Sequence, residues 1–507
     1  MKSGSLFFYC YIRKIDVSLI YTNLIERGLM SVTLYSLGAA QEVTGSKHLF
    51  EVEGKTYMVD CGAFQGRRQE ADEKNRKFDY PADKIEAVIL THGHYDHCGL
   101  LPVLSKKGFR NNIYTTPATR DLSNLVMMDS AHIQARDAQY LSKQARKKGE
   151  TFNWSPLYDE NDVVQVTSQM VTVSYNREVF IGPKVKVEFF DAGHILGSAM
   201  ALVTIVDAKE KPDDSGSRDV RILYTGDLGR CGKAIIRDPA TNMPPVDYII
   251  LESTYGNRKH EETSIAIEEL RKTVQHAVDH KGKVIIPAFA IERTQELVYY
   301  LHLLVDKGRV PKLPIYVDSP MATNATSIFR VHQECYDEET RKAFLDHHKN
   351  PFGFNELSFT SNVEESKSLN EKEGPMIIIS ADGMCEFGRV VHHLANNISN
   401  PDCSVLIVGY MADHTLGRRI RDGEKEVRIL GDWYNVNAQI DTIDAFSAHA
   451  DYLEMTKWLN DIDTSKLKQI FLVHGEPDAQ QYFVQHLWEQ NFKDVTVVEY
   501  GKTYEVE

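Results

Sequence analysis

Four side chains of metal-ligand type, His92, His94, Asp96 and His97, fall within six consecutive positions of "AVILTHGHYDHCGLLP" (residues 87–102), directly behind an apolar run. No other feature constrains the fold as much. The apolar run must be buried, and the polar groups at its end must then find partners. His92 and His94 are two apart, the period at which side chains of an extended segment point the same way. Asp96 and His97 follow as the chain turns toward a helix. One set of these residues could hold one metal ion and the neighbouring set a second; a histidine-rich loop without metal is the alternative.

A zinc ion takes three or four protein ligands, so the cluster predicts partners elsewhere in the chain. "FFDAGHILGSA" offers His194, "ILYTGDLGR" offers Asp227 and "IFLVHGEPD" offers His474. Each follows an apolar strand-like run and sits beside a glycine, where an open site at the carboxyl ends of strands would recruit ligands. Taken singly, each reads as a satisfied histidine or a turn aspartate. Their recurrence in one structural context favours the ligand reading.

The rest of the pattern gives an architecture. From Ser31, short apolar or alternating runs closed by glycine or polar turns predict strands at "SVTLYSLG", "KHLFEVEG", "KTYMVDCG" and "IEAVILTHG". A basic segment, "QARDAQYLSKQARKKG", reads as a solvated helix, and "KEKPDDSGSRD" reads as an exposed hairpin loop. Beyond about residue 246, apolar strands such as "KVIIPAFA" and "PMIIIS" alternate with helices, as in a parallel, doubly wound sheet. One such helix, "SIAIEELRKTVQHAVDH", keeps Ile267, Leu270, Val274, Ala277 and Val278 on one face. From about 434 the earlier pattern returns. The expected division is therefore an N-terminal extension (1–30), a first domain (31–245 completed by 434–507) and an insert (246–433). Residues 1–29 read as a dispensable extension or as sequence upstream of a second start at Met30.

Composition narrows the function classes. A formal net charge of −14 argues against a broad basic surface that coats nucleic acid, though not against a nucleic-acid enzyme with local positive charge. No apolar run is long enough to span a membrane. Seven scattered cysteines without a C-x-x-C pair indicate neither a zinc ribbon nor a disulfide framework, and a reducing cytoplasm is the expected location.

Nine motifs in order, "MVDCG", "THGHYDH", "DAGHILGSA", "YTGDLG", "ESTYG", "IPAFAIERTQE", "DSPMA", "FSAHADY" and "LVHGE", resemble the metallo-β-lactamase fold and, within it, the β-CASP nucleases. The first four mark the fold; the later five mark the branch. The resemblance implies a four-layer αββα sandwich with an inserted doubly wound α/β domain, the site lying where the two meet. It implies one zinc ion held by His92, His94 and His194 and a second held by Asp96, His97 and His474. Asp227 would bridge them, with manganese an alternative metal. Asp60 would orient a ligand histidine by accepting its other ring N–H. Two such ions activate a bridging water for in-line attack on a phosphodiester. His449 would be the general acid with Glu252 as its carboxylate partner, and Asp96 counts in the catalytic set as well as among the ligands. Ser447 and Arg293 are candidates for substrate binding. Arg293 lies at a strand-to-helix turn, where it would share a phosphate oxygen with the helix N-terminus or else form a surface ion pair. Arg389 has the same two readings, and His392 and His393 are given no metal role.

The expected function is a two-zinc ribonuclease acting on single-stranded RNA threaded between the domains, where a duplex would not fit. The chain ends 33 residues after His474, so no appended RNA-binding domain is expected and the compact bacterial members are nearest. Two other readings stand beside it: a hydrolase of DNA or of a small ester, and a non-catalytic scaffold. A histidine at position 474 favours RNA over DNA, and seven intact ligand positions argue against a scaffold. No membrane partner is expected, and a homodimer enters by analogy only.

Overall fold

The computed structural model describes residues 32–506 except 79, 150, 210, 348, 349, 410 and 413. The expected extension at residues 1–30 lies outside them.

Two mixed sheets of seven strands face each other. The first runs, edge to edge, Tyr504–Val506, Val32–Ser36, His48–Val52, Lys55–Val59, Ile85–Ile89, Ile113–Thr115 and Met170–Thr172. The second runs Val495–Val497, Gln469–Val473, Tyr248–Glu252, Val220–Tyr224, Ala199–Ile205, Val185–Asp191 and Val179–Phe180. Alternation along the strands decides which side chains enter the space between them. Val32, Leu34, Phe50, Val52, Val59 and Ile89 of the first sheet meet Val187, Phe189, Ala201, Val203, Ile222, Ile250 and Val473 of the second. Fully burying each such side chain is worth about 1.5–3 kcal/mol relative to exposure, so this shared core, more than local propensity, holds the sheets in register.

Helices cover both outer faces. On the second sheet, Leu223, Ile249, Leu251 and Leu472 pack against Met455, Trp458 and Leu459 of the helix Tyr452–Asp461 and against Phe483 and Leu487 of Pro477–Glu489. Asp451 starts the former helix as one half of a capping box with Glu454. On the first sheet, Leu49, Met58 and Val88 pack against Leu122, Val126 and Met127 of the helix Pro117–Lys148. Its last turns are the basic segment read as solvated, and they end on Gly149 at φ 71°. These four layers are the αββα sandwich.

The third sheet is wholly parallel, in the order Leu357–Phe359, Ile315–Val317, Met376–Ser380, Lys283–Pro287, Ser404–Ile407 and Gln439–Thr442. Its central strands are buried on both faces: Val284 and Ile286 face one apolar cluster, Ile285 and Ile378 the other. The helix expected over "SIAIEELRKTVQHAVDH" is Thr263–His280; it buries Leu270, Val274 and Ala277, with Ile267 and Val278 half-buried at the edge of the same core. Sheet membership moves both limits of the expected insert by one strand. Tyr248–Glu252, read as the insert's first strand, pairs in parallel with Val220–Tyr224 and Gln469–Val473 in the second sheet. Gln439–Thr442, read as part of the returning domain, pairs with Ser404–Ile407 in the third. The nearly all-apolar Tyr248–Glu252 carries no local mark of which parallel neighbour it will join, and Gln439–Thr442, with a single apolar residue, carries too short a pattern to show it.

Among the described residues no helix is long and apolar enough to cross a membrane, and the described cysteines are free thiols.

Candidate active site

Six strand ends converge on one edge of the facing sheets. Lys55–Val59 leads into Asp60, and Ile85–Ile89 leads into the 91–97 turn that carries His92, His94, Asp96 and His97. From the second sheet, Val185–Asp191 leads to His194, Val220–Tyr224 to Asp227 and Gln469–Val473 to His474, while Glu252 is itself the last residue of its strand. Two glycines allow these turns to touch. A Cβ on Gly62 would lie 1.5 Å from the Asp96 carbonyl oxygen, and one on Gly229 would lie 1.8 Å from that of Gly193. Any side chain at either position would force the ligand-bearing turns apart.

One donor group is built from His92, His94, His194 and one oxygen of Asp227. His94 Nδ1 is 3.2 Å from His92 Nε2 and 3.1 Å from His194 Nε2. Asp227 Oδ2 is 3.4 Å from His92 Nε2 and 3.6 Å from His194 Nε2. Donors about 2.0–2.2 Å from a tetrahedral zinc ion lie roughly 3.3–3.6 Å from one another. The two distances to Asp227 fall in that range, and the two between imidazoles, 3.2 and 3.1 Å, lie just under it.

The second group comprises Asp96, His97 and His474, approached by the other oxygen of Asp227. Asp227 Oδ1 is 3.3 Å from His97 Nε2 and 3.6 Å from His474 Nδ1, and Asp96 Oδ2 is 3.5 Å from His474 Nε2. Asp227 Oδ1 and His474 Nε2 are buried without a hydrogen-bond partner. Leaving such atoms unsatisfied costs about 1–3 kcal/mol each, and a cation would remove that cost. The donor chemistry therefore fits a metal at both positions. Partners outside the cluster orient several of the rings. Asp60 Oδ2 lies 2.7 Å from His97 Nδ1, Thr91 Oγ1 lies 3.1 Å from His92 Nδ1, and Thr254 Oγ1 lies 3.0 Å from His474 Nδ1. In the first two cases the opposite nitrogen is the one turned toward Asp227.

The electrostatics of the two groups differ. Burial, with His97 adding to it, lowers the pKa of His92; burial and His92 together push His94 down to about 3. Burial and the charge of His449 hold His194 well below its ordinary value. These three rings are therefore neutral, with lone pairs free for a cation. In the second group burial also acts downward, but Asp227 and Asp60 outweigh it at His97, and Asp227 and Asp96 outweigh it at His474, so both titrate above the ordinary range. Burial would raise Asp227, yet the imidazoles of His474, His97 and His92 keep it well below the usual carboxylate value. Asp96 is likewise lowered against burial, chiefly by the nearby imidazole of His474.

Glu252 is fully buried and lies 3.1 Å and 3.2 Å from His449 Nδ1 through its two oxygens. The backbone N–H of Leu228 donates to Glu252 Oε1 at 2.6 Å and that of Thr254 to Oε2 at 3.3 Å, so the carboxylate is locked. His449 is positioned by backbone pairing with Gly229, two residues from Asp227, and its Nδ1 is 3.9 Å from Asp227 Oδ2. Burial lowers its pKa, but Glu252 and then Asp227 raise it further, to about 9. The carboxylates thus favour the charged form of the ring, which is hydrogen-bonded to Glu252 through Nδ1.

The weaker sequence candidates are placed differently. Ser447 donates its hydroxyl to the His449 carbonyl at 3.3 Å. Arg293 begins its helix as expected, but its guanidinium is buried, paired with Glu296 and stacked 5.4 Å over Phe446. It forms an ion pair, although a buried one. Arg389 and His393 both reach the fully buried carboxylate of Asp318, each at 2.6 Å. Sequence reasoning did not find Thr91, Thr254, Lys233 and Glu292. Thr91, Thr254 and Glu292 stand inside the quoted motifs, beside residues singled out there, and adjacency was their signal. Lys233 offered no local signal.

Three family descriptions match this chain: Metallo-beta-lactamase superfamily over residues 45–171, Beta-Casp domain over 294–420, and Zn-dependent metallo-hydrolase RNA specificity domain over 433–498. The chain is 33% identical over 442 residues to Ribonuclease TTHA0252 of Thermus thermophilus, covering 87% of this chain and 92% of that protein. It is 29% identical over 461 residues to transcription termination factor FttA of Methanosarcina mazei, covering 88% of this chain and 67% of the relative. For the factor of the same name from Cenarchaeum symbiosum the values are 30% over 459 residues, 88% and 66%. The chain thus spans about two thirds of the length of these termination factors. A crystal structure of a protein of unknown function from Enterococcus faecalis V583 shares the fold, with a TM-score of 0.50 at 13% identity, covering 94% of this chain and all of that one.

Proposed function

Because the chain belongs to the β-CASP branch of the metallo-β-lactamase superfamily, we propose that it is a metal-dependent ribonuclease hydrolysing single-stranded RNA. The observation that carries the chemistry is the pair of donor groups joined by the two oxygens of Asp227. A ribonuclease among the relatives and the match to an RNA specificity domain support RNA as the substrate.

His92, His94, His194 and Asp227 would hold one zinc ion, and Asp96, His97, His474 and Asp227 a second. Bound there, divalent cations supply Lewis acidity at the phosphoryl group and lower the pKa of a water to near neutrality. The protein's own residues do the rest. Asp60, Thr91 and Thr254 fix ring orientation, so that little reorganisation accompanies the reaction. His449 donates the proton that the departing oxygen needs, from the ring nitrogen that Glu252 does not engage. Glu252 keeps that ring charged and correctly turned until transfer. Residues 31–252 with the segment after 442 form the hydrolase part in this proposal, and the intervening parallel sheet forms the wall against which the strand lies.

The test is a gel time course on 5′-labelled single-stranded RNA with zinc-loaded protein and an Asp96→Ala control. Cleavage by the wild type alone supports the proposal. Bound zinc without RNA cleavage would exclude RNA, and DNA or a small phosphate ester would then be tried on the same centre.

A further inference from the structure

We propose that Glu292 and Lys233 form a positioning pair that ties the insert to the His194 turn and sets the place of the His194 ring. Glu292 follows a strand of the third sheet and lies in the motif "IPAFAIERTQE", whereas His194 belongs to the second sheet's edge. Lys233 Nζ donates to the His194 carbonyl oxygen at 2.8 Å and lies 3.3 Å from Glu292 Oε1. The other carboxylate oxygen, Oε2, accepts from the backbone N–H of Leu196 at 3.3 Å. Glu292 thus grips the His194 turn twice, once through Lys233 and once directly. Both side chains are buried, with Glu292 3% and Lys233 8% exposed. The rest of the turn is closed on itself by Ser198, whose hydroxyl accepts from the His194 N–H at 3.0 Å.

The backbone at Glu292 supports a dedicated role. Its φ of 68° and ψ of −62°, with the Arg293 N–H donating to the Ile291 carbonyl at 2.9 Å, define a γ-turn of the rare, strained kind. A non-glycine residue persists there only where its surroundings over-determine it, and such residues gather at functional sites. Here the turn directs the carboxylate inward, away from the ordinary helix-capping role its position would suggest; no side-chain cap bond is formed. A buried charge pair adds little net stability compared with apolar packing, so specificity of position is the better reason for its presence.

This inference rests on the metal-centre reading, in which the ring nitrogens of His194 matter to within tenths of an ångström. The experiment loads the full chain with cobalt(II), whose visible absorption reports the ligand field, and measures zinc retention against a chelator. The variants are Glu292→Gln, Glu292→Ala and the neutral double variant Lys233→Met with Glu292→Gln. Glu292→Gln keeps an acceptor for Leu196 but releases Lys233. We expect an altered cobalt spectrum, zinc affinity at one position weakened about 10–100-fold, and a lower kcat on RNA with KM unchanged. The double variant should behave like Glu292→Gln.

If Glu292→Ala does not fold, the two charge-neutralising variants decide the matter. Wild-type cobalt spectra and zinc retention in Glu292→Gln overturn the inference. Full restoration by the double variant also overturns it, because the pair would then serve stability alone. A wild type that takes up neither metal would remove the metal-centre reading and this inference with it. A loaded wild type beside an indifferent Glu292→Gln removes only the inference.

Discussion

Glu252, fully buried at the end of its strand, lies 3.1 Å from Nδ1 of His449, a residue 197 positions further along the chain. A carboxylate in that place stabilises the imidazolium and raises its pKa, here to about 9 against the opposing effect of burial. In the proposed mechanism this pair supplies the proton for the leaving oxygen.

Replacing Glu252 by Gln should lower kcat about 10²–10⁴-fold, the usual worth of general acid–base catalysis, with KM nearly unchanged. The pH dependence supplies the sign. A general acid must be protonated, so the rate falls as pH rises through the pKa of His449. Without the carboxylate that pKa drops, and the alkaline limb should move to lower pH in the Gln variant. A limb that stays in place would remove His449 from the role.

Asp227 serves both donor groups, whereas His94 serves one. Metal analysis of the purified variants should therefore separate them. Asp227→Asn should depress occupancy at both positions, and His94→Ala at one only. Chelator treatment of the wild type should lower the thermal midpoint, since an ion that binds the folded state alone stabilises it by mass action. Equal occupancy in the two variants would argue against a bridging carboxylate.

Asp60 holds His97 through Nδ1 at 2.7 Å and also accepts from the Thr91 backbone N–H at 2.8 Å. Asp60→Asn retains the shape but loses the charge that orients the ring. Zinc affinity should fall about 10–100-fold, as for other partners of ligand histidines. Competition with a chromophoric chelator measures this directly, and an unchanged affinity would contradict the orienting role.

Asp318 is a stability site within the insert. Burial would raise its pKa, but His393, Ser366, Thr360 and Arg389 all hydrogen-bond to the carboxylate and hold it below the usual range. A depressed folded-state pKa means a contribution present above the unfolded value near 4 and lost as pH falls below it. Asp318→Asn should cost about 3–5 kcal/mol at neutral pH, the price of breaking a buried pair, with the deficit narrowing under acid. Thermal midpoints of both proteins across pH 3–7 would show it; a deficit independent of pH would assign the loss to shape rather than charge.

Much of this protein is legible along the chain because the relevant periods are short. Short alternating or apolar runs mark the strands of the facing sheets, the 3.6-residue face marks Thr263–His280, and the spacing of His92 and His94 marks the cluster before any partner is known. His194, Asp227 and His474 carry a weaker signal, a ligand-type residue beside a glycine after an apolar run, and the structure brings all three together with that cluster.

What the tertiary structure decided is what no local period encodes. Tyr248–Glu252 and Gln439–Thr442 are short strands with parallel neighbours, and each joined a sheet other than the one expected because sheet membership depends on long-range packing. Arg293 became the buried partner of Glu296 instead of a surface residue, since Phe446 arrives over it from 153 positions away. Lys233 and Glu292 meet across 59 residues only when the insert closes on the His194 turn. The sequence by itself determined which chemistry the strand ends carry; the packing of one sheet against another determined which atoms of those residues face each other, because such contacts depend on the whole core and on no segment of it.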